Sequence, residues 1–375
     1  MARLGDVASY MNGYAFKPSD WSDTGLPIIR IQDLTGNSYQ ANRYNGEYAL
    51  KYEVNQGDVL ISWSASLGVY VWQGEKALLN QHIFKVIFDK TEISKSFFVH
   101  QVENILEKAS SEAHGATMKH LTKPVFDALP FYLPPLDEQR KIAAVLDKVS
   151  SLITKRCQQL DKLDELVQAR FVEMFGDPII NNMSWPKALI GDNCFVTKLA
   201  GFEYTQYIHY EDSGDVVMVK AQNVKKGKLN DKDISFISNE VSDSLPRSQL
   251  APGDVVMTYV GANIGDVALI DEKHKYHLAP NVAKIRPNSK VYDSTYFMYM
   301  LMFLNSYIME NSADTAKAAL GMERIRKLVV CIPPIDLQRY FSDFVKKIDK
   351  SKSVVQKSLE QLETLKKALM QEYFG

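Results

Sequence analysis

Two kinds of residue in this chain have the types and spacing for chemistry: paired histidines, and cations interleaved with amides. His274 and His277 form a His-x-x-His pair, but no glutamate or third ligand stands at zincin spacing. The pair reads as solvated histidine, and no metal is expected. "GVYVWQGEK" (Gly68 to Lys76) lacks the spacing and the Gly-Lys-Ser/Thr end of a Walker loop, and no Gly-x-Gly-x-x-Gly occurs. Pro-Pro occurs only in "LPPL" and "IPPI", without the preceding Asn or Asp that an amino-methyltransferase signature needs. Carboxylates are plentiful and form no motif. No catalytic residue is nominated, and the balance moves towards binding.

Binding chemistry is better supplied. "KAQNVKKGKLNDK" from Lys220 holds five lysines against one aspartate, on a strand and the turn after it. Lys220, Lys225, Lys226 and Lys228 could neutralise phosphates while Gln222 and Asn223 hydrogen-bond base edges. A plain lysine-rich surface hairpin has the same composition. Arg30, Gln32 and Asp33 in "IRIQDL" again offer a cation and an amide. "TMKHLTK", with Lys119 and His120, and "MERIRK", with Arg324, are basic segments ahead of a final strand. The formal net charge is −1, so any basic surface must be local.

These segments recur because the chain is duplicated. "LPPLDEQRKIAAVLD" begins at Leu133 and "IPPIDLQRYFSDFVK" at Ile332, 332 − 133 = 199 residues later. The copies align without a gap to Gly176 and Gly375, with 13 of 44 pairs identical. Upstream, the order of motifs is kept while the offset drifts. "GYAF" at Gly13 corresponds to "GFEY" at Gly201, "IRIQDL" to "VKAQNV", and "GDVLIS" at Gly57 to "GDVVMT" at Gly253. "SLG" (Ser66 to Gly68) corresponds to "NIG" (Asn263 to Gly265), and Asn80, followed by Gln81, to Asn281. A period of about half the chain is a domain duplication; solenoid repeats are much shorter.

Each copy has one plan. Short β-branched and aromatic runs bounded by Gly, Asn and Asp predict strands and turns. A helix is predicted near 95–109 and another near 294–309, followed by the strands "ALPFYL" and "LVVCI". The paired prolines then bar a helix across themselves and leave Asp137 and Asp336 to cap a helix beyond them. Leu146, Val149, Ile153, Leu160, Leu163 and Val167 form a heptad seam broken at Arg156 and Arg170. Val345, Ile348, Val355, Leu359, Leu362 and Leu369 form the second, broken at Lys352 and Lys366. Each helix would need the other copy or a partner chain to cover its stripe. Gly176 suits a left-handed C-cap, with Pro178 barring continuation.

At 375 residues, with 46% hydrophobic and 24% charged, the chain can bury more than one ordinary core. Three scattered cysteines (Cys157, Cys194, Cys331) give neither a disulfide framework nor a metal cluster and suit a reducing cytoplasm. The start "MARLGDVASYM" lacks a signal peptide's basic and apolar regions. The apolar run from Tyr296 is too short to span a membrane and reads as a buried helix.

A globular domain, then "PPLDEQRKIAAVLD" opening a long helix that ends in "FGDP", then the same plan again, resembles the specificity subunit of type I restriction-modification systems. "GDVLIS…SLG", "LNQHIFKV" and "GATMKHLTKPVFDALPFYLPPLDEQRKIA" are similar to that family too, and the resemblance spans essentially the whole chain. It implies an α+β protein with two similar, strand-rich target-recognition domains. Two long antiparallel coiled-coil helices separate them and give an internal pseudo-two-fold repeat. The expected parts are 1–135 and 178–334 for the domains, and 136–177 and 335–375 for the helical spacers.

Each half would read one part of a bipartite DNA target, and the helices would set the spacer and dock two modification subunits. Restriction subunits would complete the complex. S-adenosylmethionine, ATP and Mg would sit on those partners, leaving this chain non-catalytic and without a cofactor. By position, the resemblance places the DNA-reading residues at Arg30 to Asp33, Ser66, Asn80, Gln81, Lys220 to Lys228, Asn263 and Asn281. Leu337, where the first copy has Glu138, departs from the pattern, and the first half is sparse in basic residues. The rival reading is a non-catalytic coiled-coil adaptor whose globular halves bind something other than DNA.

Overall fold

The computed structural model describes residues 1–36, 42–64, 66–112, 122–261, 263–305 and 320–375. Lys119 and His120 lie outside them. The chain divides into two compact units, Met1–Gln158 with Gln356–Gly375, and Gln159–Val355. The division falls within both long helices, so each unit takes one end of each rod. The expected parts instead kept each rod whole.

The duplication is realised strand for strand. In the first unit one sheet has the order Ser9–Asn12, Ile83–Ile87, Val59–Ser62, Gly68–Val71. Its counterpart in the second unit is Cys194–Lys198, Val282–Pro287, Val255–Thr258, Val267–Leu269. A second sheet runs Arg43–Tyr44, Leu26–Ile29, Ala77–Leu79, Glu53–Val54, and its counterpart Ser235–Ile237, Val216–Val219, Lys275–Leu278, Gln249–Leu250. In both, the central pair is parallel: Ile28 beside Leu78 and Ile29 beside Leu79, Val217 beside Tyr276 and Val219 beside Leu278. Ala77–Leu79 and Val216–Val219 are apolar and buried throughout because both faces are covered, while Lys275–Leu278 carries an exposed lysine at its start and the buried His277.

A lysine in each unit ties the two sheets together. Lys85 donates to Glu53 O at 2.7 Å and pairs with Asp58 at 2.8 Å. Lys284, 2% exposed, donates to Arg247 O at 2.6 Å and Gln249 O at 2.7 Å. Each ammonium reaches the carbonyl of an edge strand in the other sheet, Glu53 or Gln249.

The helix Lys95–Glu112 begins where expected; its counterpart is described over Ser294–Phe303. The long helices are Leu136–Phe175 and Ile335–Phe374. Both start one residue before the aspartate expected to cap them. Asp137 and Asp336 therefore lie inside the first turn, where a carboxylate complements the helix dipole. The buried glutamines of the repeated phrase fix these starts. Gln139 accepts from Ser94 N–H at 3.0 Å and donates to Pro134 O at 2.8 Å. Gln338 accepts from Asp293 N–H at 2.9 Å and donates to Pro333 O and Val291 O at 2.8 and 2.9 Å.

Within the second unit Phe171 meets Phe341 at 5.5 Å between ring centroids, and Asp164 pairs with Lys352, so the helices run antiparallel there. In the first unit Ile142, Ala143 and Leu146 share a core with Leu369, Met370 and Tyr373. Along the seams, Leu146, Val149, Val167, Val345, Val355 and Leu359 are buried. Ile153, Leu160, Leu163, Ile348, Leu362 and Leu369 are half-buried. Of the four cations that break the stripe, Lys352 is compensated by Asp164, Lys366 by Glu103 at 3.0 Å, and Arg170 by Glu173 at 2.7 Å. Gly176 is left-handed at φ 73° and its N–H donates to Val172 O; a Cβ there would meet Asn182 Oδ1 at 2.1 Å.

Candidate nucleic-acid interface

Parallel strands run the same way, so the residues just beyond them gather at one edge. In the first unit Arg30 comes after Leu26–Ile29, while Asn80 and Gln81 come after Ala77–Leu79. Asn80 N–H donates to Ile29 O at 3.2 Å, and Gln81 N–H donates to Tyr14 O at 2.8 Å. Arg30, Asn80, Gln81 and the half-exposed Tyr14 thus share that edge. In the second unit Lys220 comes after Val216–Val219 and Asn281 lies beyond Lys275–Leu278, with Ala279 N–H donating to Val219 O at 3.2 Å.

"IRIQDL" is expected as strand and turn, but Ile31–Leu34 is one turn of helix. Its acid is committed: Asp33 accepts from Arg30 N–H at 2.7 Å. In the second unit Asn223 accepts from Lys220 N–H at 3.2 Å. Asn223 is also 3% exposed and donates to Asn230 O and Lys232 O at 3.0 and 2.9 Å. Asn223 is therefore a buried turn residue, not the base-edge donor expected from sequence. Gln32 and Gln222 form no side-chain hydrogen bond among the described residues, and Gln222 is exposed.

Both cations lie over an aromatic ring. Arg30 Cζ stands 5.3 Å from the Trp21 ring centroid, and Lys220 Nζ stands 5.9 Å from that of Tyr210. The rings occupy the same place, each just before a bridging residue: Ser22 pairs with Arg43, and Glu211 with Phe236. Both are 42% exposed. Lys220 Nζ is further tethered to Ser235 Oγ at 3.0 Å. Sequence reasoning missed both rings. An aromatic nine or ten residues before the cation (30 − 21 and 220 − 210) is the only trace they leave.

The sequence match of Asn80 with Asn281 is corrected by the strand register. Lys85 pairs with Leu60 and Lys284 with Val256, so His82 is the counterpart of Asn281. Both are left-handed, at φ 73° and 70°. His82 O accepts from Trp63 N–H, and Asn281 O from Tyr259 N–H. Trp63 and Tyr259 open the loops that carry the exposed Ser66 and Asn263, which brings those loops towards the same edge in each unit.

The lysine-rich segment is a tight hairpin, Val224–Lys225 and Lys228–Leu229, turning through Lys226 and Gly227 with φ 44° and 84°. Two positive φ values are those of a type I′ turn. Its tip lies on the strand Val267–Leu269, since Gly227 N–H donates to Val267 O at 2.8 Å. Lys228 pairs with Asp349 on the second long helix at 3.6 Å. Lys225 and Lys226 stand by Asp266, whose carboxyl burial pushes up against their pull. Arg324 is exposed on the short helix Met322–Arg326.

Only one histidine of the pair is solvated. His274 is exposed, while His277 is fully buried, with Nδ1 3.0 Å from Leu278 O and its pKa lowered by burial. Among the described residues no group of three or more His, Cys, Asp or Glu could hold a metal, and no helix is long and apolar enough to cross a membrane.

Residues 1–164 and 197–364 match the family described as "Type I restriction modification DNA specificity domain". The chain is 23% identical over 367 residues to the type I restriction enzyme EcoBI specificity subunit of Escherichia coli, covering 89% of this chain and 76% of that one. It is 23% identical over 390 residues to the MjaVIII specificity subunit of Methanocaldococcus jannaschii, covering 99% and 90%. In fold it is similar to the type I restriction-modification S subunit from M. genitalium, with TM-score 0.57, 13% identity and coverage of 100% and 95%. A chain from a study of complex assembly and conformational transition of the type I R-M system aligns with TM-score 0.52, 17% identity and coverage of 100% and 96%.

Proposed function

This chain belongs to the type I restriction modification DNA specificity family, matched over residues 1–164 and 197–364, and on that premise we propose that it is the sequence-reading subunit of a type I restriction-modification complex. Each half reads one part of a bipartite DNA target. The observation that carries this is the recurrence of one edge in both units: a cation over an exposed ring at the end of a parallel strand pair, with Gln32 or Gln222 beside it making no side-chain hydrogen bond among the described residues. Arg and Lys supply charge, and Gln and Asn supply paired donors and acceptors for base edges. Lys225, Lys226 and Arg324 add charge that contacts backbone phosphates.

The long helices set the spacer between the half-sites and dock two modification subunits, with restriction subunits completing the complex. The chemistry belongs to those partners, which carry S-adenosylmethionine, ATP and Mg. This chain is non-catalytic and works in the cytoplasm.

The test is binding to duplex DNA, with modification subunits present, titrated in salt. The logarithm of the affinity should fall linearly with log salt as counterions are released. Absence of DNA binding at low salt would sink the proposal. Inserting four residues near Asp161 should change the preferred spacer or abolish binding with both half-sites unaltered; a changed half-site sequence would remove the ruler role.

A further inference from the structure

Resting on that reading, and deepening it, we propose that Trp21 is a positioning residue that holds Arg30 to read a guanine in the half-site of the first unit. The guanidinium lies over the indole at 5.3 Å, and among the described residues it makes no hydrogen bond or ion pair. Only the Arg30 backbone N–H is engaged, by Asp33. A planar group with five donors thus lies over the ring with those donors unspent among the described residues. Bidentate donation to guanine O6 and N7 needs that state, and a fork already oriented loses less entropy on binding. Trp21 itself makes no indole N–H hydrogen bond among the described residues, and 42% of it is open to solvent, so the ring is accessible beside the guanidinium.

The second unit supplies the contrast. Lys220 has the same backbone place and an aromatic beneath it, but its ammonium already donates to Ser235 Oγ. A tethered ammonium cannot present a fork, so it serves as a fixed positive charge. Base reading there falls to the exposed Gln222 and Asn281.

The experiment selects bound sites from a library of bipartite duplexes, using the full chain assembled with its modification subunits. Wild type should require G·C at one pair of one half-site. Arg30→Lys keeps the charge but not the planar, pre-oriented fork, and should weaken that preference by about tenfold or more, at that pair alone. Trp21→Leu should lose part of the same preference with an unchanged salt slope, and Trp21→Phe should largely restore it. Neither should touch the other half-site.

Unchanged selection by Arg30→Lys would overturn the proposal. So would an Arg30→Ala that weakens all sequences equally and lowers the salt slope by about one, the signature of a phosphate contact. If Trp21→Leu fails to fold by circular dichroism, the Arg30→Lys and Trp21→Phe arms decide alone. A wild-type complex that binds no DNA overturns the function itself, an outcome distinct from intact binding with unaltered selection.

Discussion

At Arg30 the backbone N–H is held by an acid, Asp33, at 2.7 Å; at Lys220 it is held by an amide, Asn223, at 3.2 Å. The backbone requires only a short side chain with an acceptor at that position, and Asp and Asn both serve. The choice matters elsewhere. Asp33 adds a negative charge to the first edge, where Asn223 leaves the second neutral. The Arg30 guanidinium lies over a ring and has no hydrogen bond or ion pair among the described residues, where the Lys220 ammonium lies over a ring and is tethered to Ser235. The duplicated frame fixes where a side chain stands and leaves open which side chain it is. A scaffold of this kind can change its target without changing its strands.

The widest gap between the units is expected in the helix cores. Phe171 is fully buried among Phe175, Tyr296, Phe303 and Phe341. Its counterpart by the 199-residue offset is Met370, packed with Ile142 and Leu146. Phe171→Ala should cost the second unit about 3–5 kcal/mol and Met370→Ala the first unit about 2–3 kcal/mol. Hydrogen exchange resolved by unit would read both, since one unfolding curve need not be two-state here. Equal losses would mean that the aromatic cluster adds nothing beyond size.

The repeated glutamines come next. Gln338 makes three hydrogen bonds and Gln139 two. Gln338→Ala should cost about 2–3 kcal/mol and Gln139→Ala about 1–2 kcal/mol, each leaving buried groups unpaired. Exchange rates at the first turn of each long helix would show it, and a larger loss at Gln139 would reverse the ranking.

A finer separation lies in the edge turns. Asn223→Ala removes a buried amide with three partners and should cost about 2 kcal/mol, whereas Asp33→Ala removes one cap and should cost about 1 kcal/mol. Asp33→Ala should also tighten DNA binding by the first unit, because a negative charge leaves the edge. Weaker binding after a correctly folded Asp33→Ala would show that the acid reads DNA itself.

Much of this was legible in the sequence. The heptad seams and the Gly-Asp-Val strands carry their periodicity within ten or forty adjacent residues, and the order of motifs along each half comes from the repeat. What failed depends on register across loops of unequal length. Asn80 and Asn281 look equivalent in one dimension, yet pairing through Lys85 and Lys284 shifts the match to His82. Asn223 reads as a reader because polar residues in a basic turn are usually exposed; only the chain's return at Asn230 and Lys232 buries it. Trp21 and Tyr210 come to their cations through sheet pairing, which no local motif encodes.

A pH-dependent effect separates Lys284 from Lys85. Lys85 has an acid at its ammonium, Asp58 at 2.8 Å. Around Lys284 the acid, Asp254, is taken up by Arg286 through two bonds of 2.6 and 2.7 Å. Burial lowers the Lys284 pKa to about 8, with Arg286 and Arg247 adding to the shift and Asp254 opposing it. The unfolded chain, with a lysine pKa of about 10.4, holds its proton over a range where the folded chain has lost it. Stability rises with pH wherever the unfolded state binds more protons. The penalty from Lys284 is therefore full below about pH 8, shrinks as pH climbs towards about 10.4, and is gone above it. Tyrosines titrate in the upper part of that window, so the informative quantity is wild type minus Lys284→Met, measured by hydrogen exchange along Val282–Pro287. The difference should move in favour of wild type between about pH 8 and about pH 10. Parallel pH curves would mean that the two carbonyls hold the ammonium protonated, and the two sheet clamps would then be alike in charge as well as in place.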